Sequence, residues 1–122
     1  MNESSYNEQM QTPDDVDMLS FFESEPSEST PEDGYWCYSV RDSMGVELQF
    51  SFNLLERSVQ TAIYFGEKLL CQVYRECANS IQFTSIEGAE WLVADFSTPG
   101  HKGNMRLTWK QGVQVTWSDL QV

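Results

Sequence analysis

The residues of this chain most able to do chemistry are Cys37, Cys71, Cys77 and a lone histidine, His101. They are just enough donors for a tetrahedral zinc site, but no Cys-x-x-Cys pair is present and the spacings favour no such site. An odd count argues against a disulfide framework. Free cysteine usually packs as a small hydrophobe, so mostly buried thiols are expected. Nucleophilic catalysis by Cys and His needs the two side by side, a proximity the sequence does not supply. A serine triad lacks its G-x-S-x-G element, and Gly100-His-Lys-Gly103 lacks the spacing and the Ser/Thr of a phosphate loop. Glu87, Glu90 and Asp95 could be drawn as a glycosidase pair, yet acids at turns and strand edges are ordinarily just solvated. No catalytic, cofactor or metal motif emerges, and a non-enzymatic role is expected.

Charge is more informative. Of 122 residues 19 are acidic and 7 basic, a net charge of −12. That balance argues against binding a phosphate backbone, which calls for a basic face. No apolar run approaches the ~20 residues of a membrane-spanning helix. The start, MNESSYNEQMQ, has neither the basic lead nor the apolar core of a secretory signal, so a reducing cytoplasm is the expected setting. Residues 1–34 hold Glu3, Glu8, Asp14, Asp15, Asp17, Glu23, Glu25, Glu28, Glu32 and Asp33 and no Lys or Arg. With their Ser, Thr, Pro and Asn they bury too little to offset the ~1–2 kcal/mol per residue that ordering costs. They are expected to form an acidic, largely flexible tail, with residues 35–122 as the folded domain.

One stretch of the tail differs. Thr12-Pro-Asp-Asp-Val-Asp-Met-Leu-Ser-Phe-Phe-Glu-Ser24 carries helix-start signals: a Thr N-cap, Pro at the first position and Asp in the first turn. The pattern predicts a short helix over 12–24 whose Met18, Leu19, Phe21 and Phe22 seek an apolar surface. Alone it is too short to be stable in water. That surface is either the chain's own domain or a partner.

From Tyr35 onward the period is two. Val46, Leu48, Phe50 and Phe52 alternate with Glu47, Gln49 and Ser51, the signature of a half-buried strand. Similar runs fall at 58–65, 81–84, 92–96, 105–109 and 113–117. Between them lie Gly66-Glu67, Asp42-Ser-Met-Gly45, Glu87-Gly-Ala89 and Lys110-Gln-Gly112, which suit short hairpin turns. Residues 67–78 fit a helix through Leu70, Val73, Tyr74 and Cys77, or a strand through Leu69, Cys71 and Val73. The preceding turn favours the strand. The expected fold is mainly β, an antiparallel meander of about eight strands forming a curled sheet, a sandwich or a partly open barrel.

Tyr35, Trp36, Tyr38, Trp91, Trp109 and Trp117 are abundant for such a domain and mostly suit its core. Adjacent Tyr35 and Trp36 must point to opposite faces, so at least one is available as an interface anchor. The chain is small, acidic and without active-site chemistry. In that overall character, and on no single motif, it resembles the small acidic immunity proteins that neutralise bacterial toxins. The resemblance implies a basic protein partner, a toxin domain such as a nuclease, and no cofactor. Carboxylates of Asp14, Asp15, Asp17, Glu23 and Glu25 would steer that partner. Leu19, Phe21, Phe22, Tyr35, Trp36 and Trp117 would anchor it. Two other readings are a nucleic-acid mimic of phage type and an adaptor with an acidic recruitment tail.

Overall fold

A computed structural model describes residues 10–121, with side chains as far as Asp119. The first nine residues of the expected tail, with Glu3 and Glu8, lie outside the described residues.

The alternating runs become nine antiparallel strands in two sheets. The first sheet runs in chain order through β1 (Glu28–Thr30), β2 (Tyr35–Arg41), β3 (Val46–Asn53), β4 (Ser58–Phe65) and β5 (Lys68–Glu76). The second follows as β6 (Ala78–Ile86), β7 (Ala89–Thr98), β8 (His101–Thr108) and β9 (Gln114–Gln121). The fold is thus mainly β, as expected, and of the three expected shapes it is the sandwich. No ladder joins β5 to β6, so the barrel does not close. The chain passes from one sheet to the other through a single residue, Cys77, at φ 68. Arg57 fixes that corner, donating from Nε to the Ala78 carbonyl at 3.2 Å and from Nη2 to Asn79 Oδ1 at 2.9 Å.

Turn chemistry sets the register. Gly66 at φ 63 opens the two-residue turn that pairs Phe65 with Lys68, so residues 67–78 adopt the strand alternative. Glu87 and Gly88, at φ 51 and φ 85, give the doubly left-handed turn whose twist matches a hairpin. Period-two alternation then sends Leu48, Phe50, Phe52 and Val59 inward from the first sheet. Ile81, Leu92, Ala94, Phe96, Met105 and Leu107 meet them from the second. Each large side chain buried there contributes ~1.5–3 kcal/mol.

Residues 10–34 are part of this unit, which corrects the expectation of a flexible tail for the described portion. Helix α1 (Asp15–Phe22) buries Met18, Phe21 and Phe22 between the sheets. Gln11 pairs in parallel with Ser80 on the β6 edge, and β1 pairs with β2. The carboxylates that made the segment read as unfoldable all point outward, so they do not oppose burial of its four large apolar residues, Met10 included. The helix also starts later than Thr12. Asp14 is the N-cap, its Oδ1 accepting the Asp17 N–H at 2.9 Å, because Asp caps better than Thr and Pro13 stays outside. Glu23, left-handed at φ 58, ends it. No described helix is long and apolar enough to cross a membrane.

The cysteines depart from expectation as well. Cys37 is buried, but Cys71 and Cys77 are exposed, because β5 is an edge strand and Cys77 sits at the corner.

Candidate functional site

The helix comes to rest across one end of the sandwich, and its docking makes a groove. Phe22 stacks on Tyr38 (ring centroids 4.7 Å apart) and on Phe50 (5.8 Å), while Phe21 stacks on Phe83 (4.9 Å). Those contacts hold the opposite side of α1 away from the first sheet. Between them opens a groove of about 420 Å³ lined by Asp15, Val16, Leu19, Ser24, Glu25, Pro26, Ser29, Trp36 and Tyr38. Trp36 and Tyr38 reach it together because they are two apart on β2 and share a face.

The floor is apolar and aromatic and the rim is acidic. Val16 and Leu19 are 72% and 41% exposed, a large apolar share for a helix this short. Tyr38 feels the rim directly: burial, then the Asp15 and Glu25 carboxylates, push its phenol above the usual range. Ser24 Oγ is closed off from solvent and has no hydrogen-bond partner among the described residues. Asp14 and Asp17, at the start of α1, are exposed as well, and residues 10–34 contain no base.

The structure gathers some of the expected partner-binding residues here and disperses others. Asp15, Leu19, Glu25 and Trp36 line the groove, and Asp14 and Asp17 flank it on the first turn of α1. Glu23 faces the other way, 3.0 Å from Lys110 Nζ. Phe21 and Phe22 are corrected as partner anchors. At 2% and 1% exposure they are core residues, because their own sheets offer the apolar surface the helix needed. Trp117 is corrected too: it points between the sheets, where its indole N–H donates to Thr61 Oγ1 at 3.0 Å. Tyr35 sits on the opposite face of the sheet from Trp36, beside Glu28 and Cys37. Burial, then Cys37, pushes its phenol up to about 12. Val16, Ser24, Pro26, Ser29 and Tyr38 were not foreseen as site residues, although the Trp36–Tyr38 spacing was a readable signal.

Elsewhere, Cys77 and His101 both line one cleft, together with Arg75, Glu76, Lys102 and Asp119. No hydrogen bond joins thiol to imidazole, so the arrangement that would activate a nucleophile is not formed. Among the described residues no cluster of three or more His, Cys, Asp or Glu is placed to hold a metal ion.

The acid-rimmed groove thus lies on a two-sheet antiparallel sandwich. No protein-family model matches the chain, and no curated protein matches it in sequence. Its fold does match a solved structure. A chain of a contact-dependent growth inhibition toxin–immunity protein complex from Klebsiella pneumoniae 342 aligns with a TM-score of 0.86 and 19% identity. The alignment covers 91% of this chain and 97% of the other. The two share a fold over nearly their whole lengths.

Proposed function

We propose that this chain is the immunity member of a toxin–immunity pair, a non-catalytic protein that neutralises a basic toxin domain by covering it. The observation that carries this reading is the near-complete fold match to a chain of such a complex. Charge supports the immunity role over the toxin role. Eight acids and no base occupy residues 10–34, and two of them, Asp15 and Glu25, stand at the groove itself. A surface of that sign attracts a basic partner and raises its association rate by ~10–1,000-fold. A nuclease fits the description, since the face that holds nucleic acid must be basic.

Co-expression with the product of the adjacent reading frame, once that product is shown to be toxic alone, tests the proposal. Restored growth and co-purification of the two as a stable complex are expected. Unabated killing, with both proteins folded and present, would overturn it.

A further inference from the structure

We infer that the groove between α1 and β2 is built to receive one arginine side chain of the protein partner, an inference resting on the toxin-neutralising reading above. Three features of the groove point to a cation carrying several donors. First, its acceptors lack donors of their own. Glu47 has Arg41, Asp119 has Arg75 and Glu23 has Lys110, but among the described residues no Lys or Arg reaches Asp15 or Glu25. Second, Ser24 brings a further polar side chain to the groove wall next to Glu25, although its hydroxyl, without a partner among the described residues, is sealed from solvent. Third, the floor is made of Trp36, Tyr38, Leu19 and Pro26, which suits a long aliphatic stem and a flat head.

The choice between arginine and lysine follows from where the acceptors stand. Asp15 lies on the first turn of α1, whereas Glu25 lies beyond its C-terminus, so the two carboxylates approach from different elements. A guanidinium carries five donors in a fixed planar fork and stacks on aromatic faces. An ammonium offers three donors around a point and holds its water more tightly. Trp36 already stacks against Phe52, 5.5 Å away and inclined by 21°, so its ring is held in place before any ligand arrives. A rigid aromatic loses little entropy on binding. The occupant is therefore an arginine presented on an extended or loop segment of the partner.

The test uses the full chain and three short peptides, N-acetyl-Gly-Arg-Gly-amide and its lysine and citrulline counterparts, in an amide-resonance titration. The arginine peptide should shift Ser24, Glu25 and the Trp36 indole saturably, with the lysine peptide weaker and the uncharged citrulline peptide weakest. The Asp15→Asn, Glu25→Gln double variant should keep its melting temperature and bind the arginine peptide roughly tenfold or more weakly. Shifts spread over the whole acidic face, or equal for arginine and citrulline, would overturn the inference. So would wild-type binding of the peptide by the double variant. Toxin neutralisation is a separate readout. A double variant that still captures the toxin as wild type does sinks the groove while leaving the proposed function intact, and failure of the unmodified chain to neutralise sinks that function.

Discussion

The indole N–H of Trp109 donates to the main-chain carbonyl of Phe21 at 3.0 Å, across a sequence separation of 88 residues. The bond ties the last turn of α1 to the chain just beyond β8. Beside it Lys110 meets Glu23, an exposed pair that contributes little by itself. The lasting attachment is Phe22, enclosed by Tyr38 and Phe50. Replacing Phe22 with Ala removes a fully buried ring from the middle of the core. A loss of ~3–5 kcal/mol is expected, read as a lower urea midpoint at unchanged slope. Deleting residues 1–34 should likewise leave a chain that no longer melts cooperatively. An independently folded β domain after that deletion would show that α1 is an accessory.

How far the sequence spoke can be judged from that same helix. Its place near residues 12–24 was legible, because caps and an apolar stripe are local properties. What the stripe would touch was not, since Phe21 meets Phe83 and Phe22 meets Phe50 only after long-range pairing of the sheets. Strand β4 could be read to the residue because Gly66 and the alternation agree. Trp117 could not be placed, because period two says that a residue faces one side without saying which side is covered. Half of the groove was visible as acids and aromatics. Ser24, Pro26 and Ser29 carry no chemical signature until α1 packs.

Asp42 ties the two sheets at a second point. Its Oδ1 accepts the Met44 and Val46 N–H groups, each at 2.9 Å, and its Oδ2 accepts the Val113 N–H at 2.9 Å. The Val113 N–H, outweighing desolvation, and then the turn N–H groups favour the carboxylate, so its pKa lies below the usual 3.8. A group whose pKa is depressed on folding stabilises the fold above its unfolded value and stops doing so as pH falls through the folded one. Asp42→Asn should therefore lower the melting temperature at neutral pH. Its gap from wild type should narrow as pH falls below about 3.8, the ordinary carboxylate value. A gap constant from pH 7 to pH 2 would mean that the carboxylate's charge contributes nothing.

Gly103 marks a close approach between β8 and β9. A Cβ there would lie 2.7 Å from Asp119 Oδ1 and 2.8 Å from the Ser118 carbonyl, with Arg75 Nη1 at 3.2 Å. Main chain cannot swing away as a side chain can, so Gly103→Ala must push the strands apart and disturb the Arg75–Asp119 pair. A cost of ~1–3 kcal/mol is expected from such overpacking, measured by urea unfolding. Gly88→Ala makes a useful contrast: nothing lies within 4 Å of its Cβ, and its cost comes from the left-handed backbone alone. If Gly103→Ala melts as wild type does, the two strands are less closely packed than their contacts imply.

Partner binding should divide between two groups of residues that the fold keeps apart in kind. Asp14, Asp15, Asp17 and Glu25 are exposed and can steer a basic toxin without first losing their water, so they act chiefly on association. Leu19 and Trp36 offer apolar surface that is covered only once the partner has docked, so they act chiefly on dissociation. Neutralising the four acids to Asn or Gln should slow association and flatten its dependence on salt, because exposed charges are screened within ~8 Å at physiological ionic strength. Asp14→Asn keeps a capping oxygen, so the helix should persist in that variant. Trp36→Ala should instead speed release, by about tenfold or more if the indole is an anchor worth at least ~1.4 kcal/mol. Phe22 is no longer a fair probe of binding, since its loss acts on the fold first. Surface plasmon resonance at two salt concentrations separates the rates, with circular dichroism confirming that each variant is folded. Should all of them associate and dissociate as wild type does, the contact lies on another face of the sandwich.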